Sequence, residues 1–419
     1  MSQIQASAST SFTVTQVQQQ IQDAIAPITG FDKVALADGL NRILASDVCA
    51  GIDVPAFDNS AMDGYAFAAH DLNFYPELTV VGHSYAGHPY PEQLLPGQAI
   101  QITTGAVMPD SADSVLPQEL ASLKDSNTLV MTGIAVTPGQ HRRRRGEDLG
   151  NGNIALTRGT RLGPAELGLL SSLGITEIDV QRPLRVAIFS TGDELQLPGQ
   201  PLASGAIYDS NRVTLRAMLM RFGAQVTDLG IVKDDPAVIE AALRSIAPEV
   251  DAIITSGGVA AGAADFTRQI IQQLGQLQSW HVNMRPGRPL AFGKLNKVAL
   301  AANTCIFGLP GNPVAMMVSF YLFVRPALQL LSGSPVSMTL PVKAISARPI
   351  AKKAGRTEFQ RGTCRLSPKG NLRVYVNSQQ GSGMLSSMTE ANCLVMLSAE
   401  QENIAAGDTV KVLLFDGLI

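Results

Sequence analysis

Apolar positions change their period several times along this chain. From Val14, residues Val17, Ile21, Ala24 and Ile25 recur at helical spacing until Pro27 ends the run. A second amphipathic piece covers residues 35–46. Between residues 66 and 137 the signals are short β-type runs at 78–81, 99–103 and 128–131, separated by Pro and Gly, which predict a small β-rich domain. Residues 164–173 read as a helix ended by Gly174. Because that helix lies outside the β-rich segment, it is expected to pack back against the N-terminal helices, leaving the β domain as an insertion.

From residue 185 strands and helices alternate. An apolar strand at 185–190 precedes a helix from Asn211 that carries Leu215, Met218, Leu219 and Phe222 on one face, with Gly223 at its end. A strand at 226–229 leads to Asp235, a helix cap followed by Pro236. A strand at 252–255, a helix from Asp265 to residue 274, strands near 279–284 and 306–309, and a last helix opening at Asn312-Pro313 complete the block. This alternation predicts a mostly parallel sheet with helices on both faces, which binds ligands at the carboxyl ends of its strands. After Ser332-Gly333-Ser334-Pro335, read as a linker, the chain becomes alternating and helix-poor, as in Leu372-Arg373-Val374-Tyr375-Val376, and predicts a small C-terminal β domain.

Three glycine-bearing loops fall at such strand ends: Thr191-Gly192-Asp193-Glu194, Ser256-Gly257-Gly258 continuing to Gly262, and Gly308-Leu309-Pro310-Gly311-Asn312. Glycine lets a backbone approach an anion closely, and a helix N-terminus adds a positive dipole end. One such loop reads equally well as a tight turn; three on one edge make a site. Carboxylates gather there at Asp193, Glu194, Asp234, Asp235 and Asp265, and arginines at Arg285 and Arg288 in Met-Arg-Pro-Gly-Arg-Pro. Oxygen ligands of this kind suit Mg²⁺ shared with phosphate, and arginine suits oxyanions. Asp235 and Asp265 serve equally as helix caps. The Arg142–Arg145 run is either a local anion site or a solvated face, and Asp58-Asn59-Ser60-Ala61-Met62-Asp63-Gly64 is open between turn and site.

Composition narrows the field. A chain of 419 residues, 45% hydrophobic and 16% charged, calls for two to four domains with sizeable cores. Its net charge of −3 argues against nucleic acid as a partner. There is no uninterrupted apolar stretch of about 18 residues, so no membrane span is expected. Residues 1–15 read as a polar, disordered lead-in without a targeting signal. The four scattered cysteines fit buried thiols in a reducing cytoplasm, and the five dispersed histidines give zinc little support.

Several motifs in order carry a resemblance. They are Phe57-Asp58-Asn59-Ser60-Ala61-Met62-Asp63-Gly64-Tyr65, Arg143-Arg144-Arg145-Gly146-Glu147-Asp148, Ser190-Thr191-Gly192-Asp193-Glu194-Leu195, Tyr208-Asp209-Ser210-Asn211, Ser256-Gly257-Gly258-Val259 and Gly308-Leu309-Pro310-Gly311-Asn312-Pro313. From about Val14 to its end the chain resembles the molybdopterin molybdotransferases, the family that includes the E domain of gephyrin.

The resemblance implies a discontinuous elongated helical domain at 1–50 and 150–180 and an inserted β domain at 51–149. An α/β molybdopterin-binding domain at 181–332 and a barrel-like β domain at 333–419 complete the expected fold. It implies a cytoplasmic homodimer whose cleft joins the α/β domain of one subunit to the inserted domain of the other. The implied reaction takes adenylyl-molybdopterin and molybdate and releases AMP with Mg²⁺. Contacts with molybdopterin adenylyltransferase and with molybdoenzyme maturation proteins are also implied.

Residue by residue, the resemblance places Asp193, Glu194, Asp234 and Asp265 at the cleft for metal and phosphate, the metal itself falling to Asp234, Asp265 and Glu194. Asp63, Thr104 and Asp148 come from the inserted domain, Arg285 and Arg288 face the oxyanion, and Ser382 comes from the C-terminal domain. Thr191, Gly192, Ser256, Gly257, Gly258, Pro310, Gly311 and Asn312 would hold the pterin substrate. The family commonly has lysine where Arg285, Arg288 and His281 stand, and serine where Ala260 stands. These departures admit a weakly active molybdopterin carrier, a tungstate-preferring homologue or a protein-interaction scaffold as alternatives.

Overall fold

The alternation that begins at residue 185 folds into a six-stranded sheet in the computed structural model, which describes residues 11–257, 266–295, 304–337 and 339–415. The chain divides into two units, one of Met1–Asp32 with Gln181–Ile419 and one of Lys33–Val180.

The larger unit opens with α1 (Val14–Ala24), where Thr13 and Gln16 form a reciprocal capping box. The polar lead-in is ordered before this point: the N–H of Asn283 donates to the carbonyl of Phe12 at 2.7 Å. Residues 1–10 lie outside the described residues. The strands are β1 (Arg185–Thr191), β2 (Gln225–Val232), β3 (Ala252–Ser256), β4 (Gln276–His281), β5 (Pro289–Leu295) and β6 (Thr304–Leu309), in spatial order β2-β1-β3-β6-β5-β4. The first four neighbours are parallel, and β5 runs against both β6 and β4. The sheet is therefore mostly parallel with one reversed strand.

Period-two alternation divides the core between the faces. Val186, Ile188, Ile254 and Phe307 pack on one side, and Ala187, Phe189, Ile253 and Ile306 on the other. α2 (Ser210–Phe222) covers the first face through Leu215 and Leu219; α3 (Pro236–Ile246) and α4 (Phe266–Leu274) cover the second through Leu243 and Ile271. Gly223 ends α2 at φ 97°, and Asp235 caps α3 by accepting from the N–H groups of Ala237 and Val238. Asp265, the expected cap of α4, lies outside the described residues.

α5 (Pro313–Leu331) completes the first face. Asn312 stands at its N-cap position without a side-chain capping bond, contrary to the sequence reading, while Pro313 supplies the preset first turn. Residues Phe320–Val324 form a π turn. Pro326 has no N–H to offer the carbonyl of Leu322, and the side-chain amide of Gln18 on α1 donates to it at 2.9 Å. By length and apolarity α5 could cross a membrane, but 78% of its apolar window is buried inside the protein, as for a core helix.

Five further strands, β7 (Val342–Ser346), β8 (Thr357–Leu366), β9 (Leu372–Val376), β10 (Cys393–Leu397) and β11 (Thr409–Leu414), close into a barrel, since β8 pairs with both β9 and β10. The short strand Met284–Arg285 pairs with the start of β8, placing Arg285 opposite Glu358.

The smaller unit holds a second six-stranded sheet, in the order Ser114–Pro117, Gly64–Phe67, Gln98–Ile102, Glu77–Ser84, Thr128–Val130 and Ser122–Asp125. The amphipathic piece at 35–46 is not a helix. It is a 3-10 turn, Leu36–Asp38, followed by Asn41 at φ 63°, which breaks helical geometry. Helix Pro164–Ser172 packs on Leu36 and Val34 through Leu170 and Leu167, while Val17 and Ile21 of α1 belong to the core of the larger unit.

Candidate functional site

The carboxyl ends of β1, β3 and β6 come together as a backbone platform. A Cβ on Gly257, which has φ 90°, would lie 2.6 Å from the carbonyl oxygen of Thr191. One on Gly311 would reach the Cα of Gly257 at 4.0 Å. The N–H of Gly257 donates to the carbonyl of Leu309 at 3.2 Å. Gly257 is thus a position where only glycine fits the conformation and the approach.

Above this platform lies a cavity of about 860 Å³. Thr191, Glu194, Ser256, Gly257, Pro310, Gly311, Asn312, Arg285, Arg288 and Ser382 all line it. Gly192 and Asp193 do not line it; instead Gly192 makes room for Glu194, because a Cβ there would sit 2.6 Å from the Glu194 carboxylate. Asp234 does not line it either, and its Oδ1 is buried without a hydrogen-bond partner. Gly258 and Asp265 lie outside the described residues.

Each wall has a local cause. Gly287, at φ 96°, turns the Met284–Pro289 loop so that Arg285 and Arg288 stand exposed on the cavity side, and a Cβ there would meet the hydroxyl of Ser319 at 2.6 Å. Asp209 caps α2 and accepts from the Ser190 hydroxyl at 3.1 Å and from Arg212 Nε at 3.0 Å, so its charge is already compensated. Asn211, the second residue of α2, donates from its amide to Ser256 Oγ at 2.6 Å and to the carbonyl of Gly311 at 2.7 Å.

The barrel supplies the remaining wall. Arg361 on β8 is buried, donating to the carbonyl of Gly381 at 2.9 Å and to the Ser387 hydroxyl at 3.0 Å. The backbone of Arg361 exchanges two further bonds with the Gln380 amide. These bonds fix the loop that carries Ser382, whose carbonyl accepts from Val314 at the start of α5. Burial, with repulsion from Arg285, pulls the Arg361 guanidinium down to about 10, still charged at neutral pH. A second hollow of about 470 Å³ shares Arg285 and Gln380 with the first and adds Arg348 and Arg361. Sequence pattern gave no sign of Arg348, Arg356, Arg361 or Gln380, because strand pairing rather than local spacing brings them to the site.

In the smaller unit, the two motifs at 58–64 and 142–148 prove to be hydrogen-bonded neighbours, with Asn59 opposite Arg143 and Ser60 opposite Arg142. Arg142 pairs with Asp58 and Arg145 with Asp53, so half of the arginine run is compensated. Burial raises the Asp58 carboxyl, but the N–H of Arg145 and the Arg142 guanidinium outweigh it and hold it below the usual range. Asp148, Arg143, Glu147 and Asn59 line a hollow of about 460 Å³. Asp63 Oδ1 accepts from the N–H and the hydroxyl of Thr104 at 2.6 and 2.9 Å. Among the described residues no three His, Cys, Asp or Glu side chains gather to hold a metal.

Chemically, the larger cavity offers closely approaching glycine backbone, hydroxyls, the Glu194 carboxylate and arginines around a space sized for a small molecule, a combination suited to phosphate and oxyanion groups. Known proteins share the sequence and fold of this chain along nearly its whole length. Family models described as "MoeA N-terminal region (domain I and II)", "Probable molybdopterin binding domain" and "MoeA C-terminal region (domain IV)" match residues 12–174, 187–330 and 343–415. A molybdopterin molybdenumtransferase of Haemophilus influenzae is 39% identical over 97% of this chain and 99% of its own. One of Bacillus subtilis is 33% identical over 94% of this chain and 93% of its own. The crystal structure of the molybdopterin biosynthesis moeA protein of Pyrococcus horikoshii superposes with a TM-score of 0.80 at 29% identity, covering 97% of this chain and all of that one. The chain belongs to the molybdopterin molybdenumtransferase family.

Proposed function

We propose that this protein inserts molybdate into adenylylated molybdopterin and releases AMP, with the cavity over Thr191, Gly257 and Gly311 as the substrate site. The observation that carries this reading is the convergence of a close-packed glycine backbone platform with Arg285 and Arg288 around one cavity. Cleaving a phosphoanhydride-type bond needs charge neutralisation and positioning more than a side-chain nucleophile. The adjoining hollow, with Arg285, Arg348 and Arg361, suits the tetrahedral oxyanion.

Mg²⁺ fits as an ion shared with the substrate. The described carboxylates form no protein cage, but Glu194 lines the cavity and Asp234 keeps an unpaired buried oxygen. Hard cations of this kind commonly take one or two carboxylates and complete their shell with phosphate oxygens. When bound, it would neutralise developing phosphate charge; Glu194, which lines the cavity, would hold it.

The working form in this reading is a cytoplasmic homodimer in which Asp63, Thr104 and Asp148 serve the same reaction from a second copy. The free thiols, three buried and Cys49 exposed, support a reducing compartment. Purified protein supplied with adenylyl-molybdopterin, molybdate and Mg²⁺ is expected to release AMP in proportion to molybdate. AMP release independent of molybdate, or none, contradicts the reading. Mixing Asp63→Asn chains with Glu194→Gln chains is expected to restore part of the activity that each lacks alone.

A further inference from the structure

Asn211 is buried at the start of α2 and lies between two walls of the cavity. The carbonyl oxygen of Gly311 can only accept, so the group facing it, 2.7 Å away, is the amide NH₂ of Asn211. The same nitrogen therefore donates to Ser256 Oγ at 2.6 Å. Ser256 then receives a hydrogen bond and keeps its own proton, and this residue lines the cavity while only 3% exposed. Asn211 Oδ1 has no hydrogen-bond partner, so the Ser256 hydroxyl does not donate to it.

We propose that Asn211 is a positioning residue that fixes Ser256 as a hydrogen-bond donor toward an acceptor atom, an oxyanion or carbonyl oxygen, of the molecule in the cleft. This rests on the proposed function and assigns one polarity to one spot of the site. A ligand presenting oxygen there takes the Ser256 proton; one presenting an N–H leaves that buried proton without a partner. Through Gly311 the same amide keeps the β6 loop in register with the end of β3.

Asn211→Asp tests the polarity with little change of shape. The new carboxylate accepts the Ser256 proton and takes it from the ligand. At neutral pH, Asn211→Asp and Ser256→Ala are each expected to weaken adenylyl-molybdopterin binding about tenfold, the worth of one hydrogen bond. The double variant is expected to be no weaker than either alone. Burial and the facing Gly311 carbonyl raise the new carboxyl, so lowering the pH to about 5 should restore part of the binding in Asn211→Asp as it takes up a proton, and none in Ser256→Ala. Additive losses, or an Asn211→Asp defect that does not change with pH, overturn the inference. If Asn211→Asp does not fold, Ser256→Ala decides alone, since unchanged binding overturns it. A wild-type protein that does not bind adenylyl-molybdopterin overturns the proposed function itself.

Discussion

Asp63 and Thr104, 41 residues apart in sequence, form one unit: a single carboxylate oxygen of Asp63 takes both the N–H and the hydroxyl of Thr104. The N–H and then the hydroxyl hold the carboxyl below the usual carboxylate range. Thr104→Val keeps the N–H and removes the hydroxyl, so the Asp63 titration is expected to move up toward about 3.9, the value of a free aspartate. Carboxyl ¹³C shifts followed against pH check this; an unmoved midpoint contradicts it. Because the folded value is depressed, whatever stability the pair contributes is present above the unfolded value and lost as pH falls through the folded one.

Asp251 is the structural counterpart at the foot of the sheet. Arg182 grips its two oxygens at 2.7 and 2.8 Å, and the N–H of Arg185 donates to one of them at 2.8 Å. Burial pushes the Asp251 carboxyl up, but these bonds outweigh it and hold it below the usual range. Asp251→Ala leaves Arg182 without its partner and is expected to cost about 3 kcal/mol, the low end for a buried pair because Arg182 is a quarter exposed. The depressed value places this contribution above about pH 4 and removes it as pH falls further. Chemical denaturation at pH 7 and pH 3 should show the gap between wild type and variant closing.

Gly257→Ala should separate folding from binding. The left-handed backbone costs an alanine about 1–2 kcal/mol, and its Cβ presses on the Thr191 carbonyl. Moderate destabilisation with loss of substrate binding is expected. Retained affinity, measured by calorimetry, would show that the platform can shift without consequence.

How far the fold could be read from sequence depended on the range of the signal. Gly223 and Asp235 act through their own neighbours, and both do what local chemistry required. β5 was missed because Pro289 opens it and Gly293 interrupts it; that glycine is needed because a Cβ would lie 2.1 Å from the carbonyl of Gln276. The amphipathic piece at 35–46 carries Leu36, Leu40 and Leu44 at four-residue spacing, but Asn41 at positive φ keeps it from being a helix. The glycine loops of the site were visible as strand-end turns. Arg356 and Arg361 were not, since they reach the cavity region only when β8 pairs with Met284–Arg285.

Arg361 spans the Ser387 hydroxyl and the Gly381 carbonyl, two groups that a lysine cannot reach together. Arg361→Lys is expected to weaken molybdate binding about tenfold, near the worth of one charge-assisted hydrogen bond. Titration calorimetry with molybdate measures this, and an unchanged Kd would remove the second hollow from the oxyanion path.

The account turns on where adenylyl-molybdopterin sits. A crystal structure of the protein with this compound bound is the direct measurement. Its phosphates are expected beside Arg285 and Glu194, over the platform of Thr191, Gly257 and Gly311. Density elsewhere, with that platform empty, would contradict the account.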